Sequence, residues 1–323
     1  MKIIDKIWLL VAVFALCACG NEETISGSEE PVKELKEYTV SLKLSGEITT
    51  SDSPLARAET ESNDLYGVQV YRKKIGEDSY SYFANGLFDN VDDMKINLLE
   101  ESTYKFEVVL VKKGKELIYE PEDQYSSPFN RNNNSNMDTN VFYYNSSYRY
   151  NALNVGQMKV NRNTTVKYPE ADWYYGEFSN YSPTINGTVE INLKHTVFGL
   201  QYQVTGITDG TVSVTITNSE RTFFTNSSIT ENYTSEEKII AFYDAYNAWL
   251  YADNYAENIT VSLSWTRGVG VVQNLGSKTI QVKRNVMNVV RIQLGANDGN
   301  ASLGITTEDD TNMRGEEVTI PLG

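Results

Sequence analysis

Few side chains in this sequence are of types and spacings that could do chemistry. The two cysteines, Cys17 and Cys19, stand close together near the start. The rest of the chain therefore has no thiol for a disulfide, a zinc-thiolate site or a nucleophile. His195 is the only histidine among 323 residues, which excludes multi-histidine metal centres and leaves a Ser-His-Asp triad one candidate base. No serine stands in a Gly-x-Ser-x-Gly elbow, and neither a P-loop nor a Gly-x-Gly-x-x-Gly stretch is present. The expectation is a protein that is not an enzyme, with no catalytic residue, no metal ligand and no cofactor, and with His195 as a structural side chain. Covalent chemistry is expected at one place only. Lys2 and Lys6 precede an apolar run, Ile7 to Leu16, which is short for a bilayer span but has the length of a secretory h-region. It closes on Ala18 and Cys19, after which Gly20, Asn21, Glu22 and Glu23 turn the chain polar and acidic.

Small residues before such a cysteine resemble the lipobox of bacterial lipoproteins. The resemblance implies that residues 1–18 are a signal peptide and that Cys19 is acylated on its thiol and, after cleavage, on its amino group. Each buried methylene then contributes about 0.8 kcal/mol, and several chains hold where one is marginal. Residues 19–36, rich in Glu, Ser and Gly, read as a flexible tether. Glu22 and Glu23 resemble a surface-export signal of Bacteroidetes, although a solvated linker would look the same. The expected location is the outer membrane, lipid-anchored at the cell surface.

The net charge is −15 and 40% of the residues are hydrophobic. That composition fits a globular fold rather than a disordered acidic tail. Nucleic acid is not an expected partner, since phosphate binding needs a basic footprint.

The elements that would carry any site are strands. Tyr38, Val40, Leu42 and Leu44 alternate with polar residues, the period of a half-buried strand. A polar loop holding Ser53 to Ala58 follows, then Leu65 to Tyr71, apolar enough to be buried on both faces. Tyr104, Phe106, Val108 and Leu110 alternate, and Lys113-Gly114 before Glu116 to Tyr119 suggests a hairpin. Residues 124–147 are rich in asparagine, which predicts a long irregular loop. Tyr143, Tyr144, Tyr148 and Tyr150, like Trp173, Tyr174 and Tyr175, could stack on a sugar, although strands use aromatics anyway.

Val189, Ile191 and Leu193 keep one phase and Leu200, Tyr202 and Val204 the other, so the chain must bend or bulge between His195 and Gly199. Thr208-Asp209-Gly210 then predicts a hairpin into Val212, Val214 and Ile216. Ser235 to Glu237 could cap a helix bearing Ile239, Tyr243, Tyr246 and Leu250. Strand patterns return at Ile259 to Trp265, at Ile280 and Val282, at Val290 to Leu294, and at Val318, Ile320 and Leu322.

In their order, these landmarks resemble the fimbrillin superfamily, the type V pilins and Mfa-like surface lipoproteins of Bacteroidetes. They are the lipobox, a first strand, Leu55-Ala56-Arg57-Ala58, the strand Asp64 to Tyr71, Ala171-Asp172-Trp173-Tyr174-Tyr175, Val189 to Leu200 around Asn192-Leu193-Lys194-His195, and Lys283-Arg284-Asn285. The resemblance implies an all-β fold of two tandem transthyretin-like β-sandwich domains with at most one notable helix. The N-terminal sandwich would cover 37–185 and the C-terminal one 186–323. It also implies a fimbrial subunit or fimbria-related adhesin, whose partners are the outer membrane, other fimbrial subunits and a host or bacterial surface ligand or glycan.

In that family a trypsin-like protease cuts after a loop arginine, here between Arg57 and Ala58. The strand of Tyr38, Val40, Leu42 and Leu44 would then leave, and another subunit's Val318, Ile320 and Leu322 would take its groove. An alternative is a glycan-binding surface lipoprotein of a polysaccharide-uptake system, which exposed tryptophans on a flat face would favour. A surface hydrolase would need a pair of carboxylates brought together in space.

Overall fold

The computed structural model describes residues 34–48, 63–117, 119–120, 124–125, 139–144, 168–216, 221–225, 232–268 and 270–294. Within them the protein is almost entirely β, and no helix reaches seven residues. The N-terminal strands are β1 (Glu37–Gly46), β2 (Leu65–Lys74), β3 (Ser81–Phe88), β4 (Lys95–Leu99) and β5 (Ser102–Val111). A one-turn helix α1 (Gly114–Leu117), a two-residue ladder of β6 (Tyr119–Glu120) and β7 (Gln124–Tyr125), and strands β8 (Val141–Tyr144), β9 (Trp173–Tyr181) and β10 (Gly187–His195) follow. The hairpin expected after Lys113 is instead this helical turn. Lys113 takes a positive φ of 53°, and its carbonyl accepts from the amides of Glu116 and Leu117.

Eight of these strands form one sheet in the order β4-β1-β10-β9-β5-β2-β3-β8. The sheet is nearly closed, because the Asn97 amide on β4 donates 2.9 Å to the hydroxyl of Tyr144 on β8, joining its two outermost strands. The enclosed face packs Val40, Leu42, Leu44, Val68, Val70, Phe106, Val108, Val189, Ile191 and Leu193 into one core. The central strands are also buried on their outer face, as the apolar run of β2 predicts for that strand and as the alternation read in β5 does not. Leu65, Leu87, Val109, Val111, Trp173 and Tyr175 pack there against Val197, Ala241 and Ala245 of the C-terminal half.

The C-terminal strands are β11 (Val197–Thr205), β12 (Thr211–Ile216), β13 (Arg221–Thr225), β14 (Asn232–Thr234), β15 (Lys238–Ala241), β16 (Ala256–Thr266), β17 (Val272–Lys283) and β18 (Met287–Gln293), with helix α2 (Ala245–Leu250) between β15 and β16. They make two four-stranded sheets. One is β14-β11-β15 with β18 on β11, and the other is β13-β12-β16-β17. Phe198, Leu200, Tyr202, Val204, Val290 and Ile292 of the first face Val212, Val214, Val261, Leu263, Trp265 and Val282 of the second in a single core.

Several local expectations are corrected here. β11 and β12 are not a hairpin, since each pairs only within its own sheet and the residues between them carry the chain across. The phase change after Leu193 is the passage from one sheet to another at Thr196, not a bulge at Gly199, which is paired on both sides. The helix expected from a cap at Ser235 starts nine residues late. Ile239 and Ile240 are drawn into a ladder with β11, and Asp244 rather than Ser235 caps α2, accepting 2.9 Å from the Asn247 amide. The strand Gly187–His195 lies between β1 and β9 in the eight-stranded sheet.

Candidate functional site

The feature with most functional promise is the seat of β1. This strand runs parallel to β10, from Val40 opposite Gly187 to Gly46 opposite Leu193, and antiparallel to β4, from Glu37 opposite Leu99 to Ser41 opposite Lys95. Val40, Leu42 and Leu44 point into the core at 0, 4 and 7% exposure. Burial of each contributes about 1.5–3 kcal/mol. Tyr38, at the start of the strand, is half-buried and lines an open cleft of ≈ 340 Å³ with Ile75, Thr103 and Pro183. β4 has no ladder partner other than β1 among the described strands. Withdrawing β1 would therefore leave two rows of unpaired backbone groups and three apolar pockets, a template for another strand.

At the far end β1 stops because Gly46 adopts φ 105°, and a Cβ there would lie 2.3 Å from the Leu193 carbonyl oxygen. Only glycine fits this close approach. The turn delivers Glu47, whose amide donates 2.9 Å to that same carbonyl. The Glu47 carboxylate meets Arg284 from the β17–β18 connection. Nη1 donates to Oε2 at 2.7 Å and Nη2 to Oε1 at 3.1 Å, the two-pronged geometry of a strong arginine–carboxylate pair. Nη1 also donates to the His195 carbonyl at 2.9 Å and Nη2 to Asp253 at 3.2 Å, while the His195 amide donates to Glu47 at 2.9 Å. Arg284 has a side-chain exposure of 3%. Burial pushes the Glu47 carboxyl up, but the Arg284 hydrogen bond, the His195 amide and the charges of Arg284 and His195 outweigh it and hold the group below the usual range.

His195 is a structural hub, as its place at a bend suggests. Its ring stacks on Tyr174 with centroids 4.5 Å apart, and Nε2 lies 2.6 Å from Asp172.

The aromatic residues singled out from sequence divide sharply. Trp173, Tyr174 and Tyr175 are core residues at 1, 5 and 3% exposure and offer no face to a sugar. Tyr144 is exposed but ties β8 to β4. Among the described residues no tryptophan is exposed, since Trp173 and Trp265 are buried and Trp249 is half-buried. Exposed rings occur instead around α2, at Tyr243, Tyr246 and Tyr251. Tyr246 and Trp249 meet at 6.1 Å, and both stand edge-on to Tyr175.

Beside them the Lys105 ammonium bridges Glu107 and Glu177 at 2.7 and 2.8 Å. Burial, aided by the Glu177 charge, holds Glu107 above the usual carboxylate range despite Lys105. This is a pairing of carboxylates, but both are engaged by Lys105.

Cys19, Arg57, Ala58, Tyr148, Tyr150, Val318, Ile320 and Leu322 lie outside the described residues. Of the other residues named for strand exchange, Tyr38, Val40, Leu42 and Leu44 stand together on β1. Glu47, and Asp253 on the other side of Arg284, were not foreseen. Arg284 and Asp172 entered the sequence reading only as members of short segments noted for their order along the chain.

No family model matches the chain, and no curated protein matches it. Solved structures are similar to it over most of its length. A candidate adhesin from Bacteroides ovatus is 9% identical with a TM-score of 0.38, over 86% of this chain and 94% of that one. A fimbrial assembly protein from Parabacteroides distasonis is 13% identical with a TM-score of 0.33, over 84% and 99%. The fimbrial anchor protein Mfa2 from Porphyromonas gingivalis is 8% identical with a TM-score of 0.33, over 80% and 90%.

Proposed function

We propose that the protein is a lipid-anchored fimbrial subunit or fimbria-related adhesin of the cell surface, and that β1 is the strand it gives up on assembly. The observation that carries this reading is the seat of β1. The strand is N-terminal, it lies between two ladders, its three buried side chains face one core, and it directly precedes the segment holding Arg57. Val318, Ile320 and Leu322 supply the alternation that a donor strand needs. The two-sandwich organisation belongs to the same proposal, with β10 completing the first sandwich and β11 opening the second.

Trypsin digestion followed by sizing tests the reading. Cleavage after Arg57 with loss of residues 37–46 should give ladders or filaments, and a chain truncated before Glu317 should give none. A cleaved protein that remains a folded monomer rejects assembly by exchange. Cys19→Ala should release the protein from membranes, and an acylated, membrane-bound variant would place the anchor elsewhere.

The tyrosine cluster around α2 favours a second reading, a glycan-binding surface lipoprotein. Tyr246, Trp249 and Tyr251 would give stacking faces, with Lys105 and Glu177 as hydrogen-bonding neighbours. Binding to a panel of polysaccharides that disappears in a Tyr246→Ala, Tyr251→Ala double variant supports it, and binding unaffected by both changes removes it.

A further inference from the structure

We propose that Arg284 forms a carboxylate-binding socket, filled here by Glu47, that locks the C-terminal end of β1 into the fold. The reading of β1 as a displaceable strand underlies one consequence: a strand replacing it must bring a carboxylate just beyond its last ladder residue.

The argument starts from burial. A guanidinium at 3% exposure stays charged, so it must be paired, and truncating one partner of a buried ion pair leaves the other uncompensated. Four contacts satisfy the two terminal nitrogens of Arg284, and Glu47 supplies one to each. The remaining carboxylate partner, Asp253, is 80% exposed on its side chain and is a weak substitute. Among the described residues Arg284 Nε is buried without a hydrogen-bond partner, so the socket has no surplus contact to fall back on.

Glu47 reaches the socket from the surface, its side chain 38% exposed, but its position is fixed. Its backbone is pinned to the end of β10 by the Leu193 carbonyl, and the glycine before it fixes the turn. Arg284 is held equally firmly. Its amide donates to the Tyr255 carbonyl at 3.1 Å, and Asn285, at φ 57°, donates to the Val197 carbonyl at 2.8 Å. The contact thus joins the end of the N-terminal strand to the β17–β18 connection, 237 residues away. A peptide-bond cut anywhere in 49–62 leaves this lock closed, and β1 departs only once the carboxylate is drawn from the socket.

Amide hydrogen exchange on the intact chain, with no protease present, tests the lock separately from strand exchange, which is read by filament formation. Glu47→Gln removes the charge but keeps the shape. The amides of Val40 to Gly46 should then exchange at least tenfold faster, while those of β2 and β5 stay within about twofold of the parent. Asp253→Asn should leave both sets unchanged. If Glu47→Gln does not fold, Glu47→Asp, which keeps the charge but shortens its reach, should give the same selective loss at smaller amplitude. No acceleration in β1, an equal acceleration across all three strands, or the same effect from Asp253→Asn overturns the proposal.

Discussion

Glu47 and Asp89 share an electrostatic logic with a measurable consequence. Burial pushes the Asp89 carboxyl up, but hydrogen bonds from Asn140 and Lys115 and the Lys115 charge hold it below its ordinary value of 3.8, as Arg284 and His195 hold Glu47 below 4.5. Both groups are therefore more acidic folded than unfolded. Their stabilisation is complete above the unfolded values and is lost as pH falls through the folded ones. Urea midpoints should accordingly be flat from about pH 7 to pH 5 and fall below about pH 4.5. In a Glu47→Gln, Asp89→Asn double variant the midpoint starts lower and the acid limb is shallower. An acid limb as steep as the parent's would mean that other carboxylates govern it.

At the scale of elements, α2 depends on a cap rather than on length. Six residues are too few for a helix stable on its own, so its start is set by Asp244, whose carboxylate accepts from the Asn247 amide and side chain at 2.9 and 2.6 Å. Asp244→Ala should cost about 1 kcal/mol, read as a lowered urea midpoint with an unchanged slope. An unchanged midpoint would show that packing of Ala245 and Ala248 alone holds the turn.

The same region explains what could be read in advance. Strands with strict alternation, such as β1 and β16, were legible because one face meets a core and the other does not. Ile239, Tyr243, Tyr246 and Leu250 have helical spacing, yet the continuous run Ile239-Ile240-Ala241 belongs to a strand whose partner, β11, lies some forty residues earlier. Spacing cannot reveal a partner. The candidate site divides in the same way. The seat of β1 was visible in its alternation, whereas Glu47 and Arg284 carry no local sign of each other across the chain.

For the whole molecule, the parallel ladder between β1 and β10 sets an order of events. Thr39 bonds Asn186 across a separation of 147 residues, and closing such distant pairs is the slow part of folding. A chain made from its N-terminus presents β1 first but completes only the β4 ladder until β10 has followed. In a chain ending before Gly187, the amides of Val40 to Gly46 should exchange like those of an unfolded peptide, and strong protection there would mean that β4 alone suffices as a partner. The first strand to be synthesised is thus among the last to be secured. Until β10 closes the sheet, the backbone groups of Val40 to Gly46 stay open to any protein that meets the growing chain.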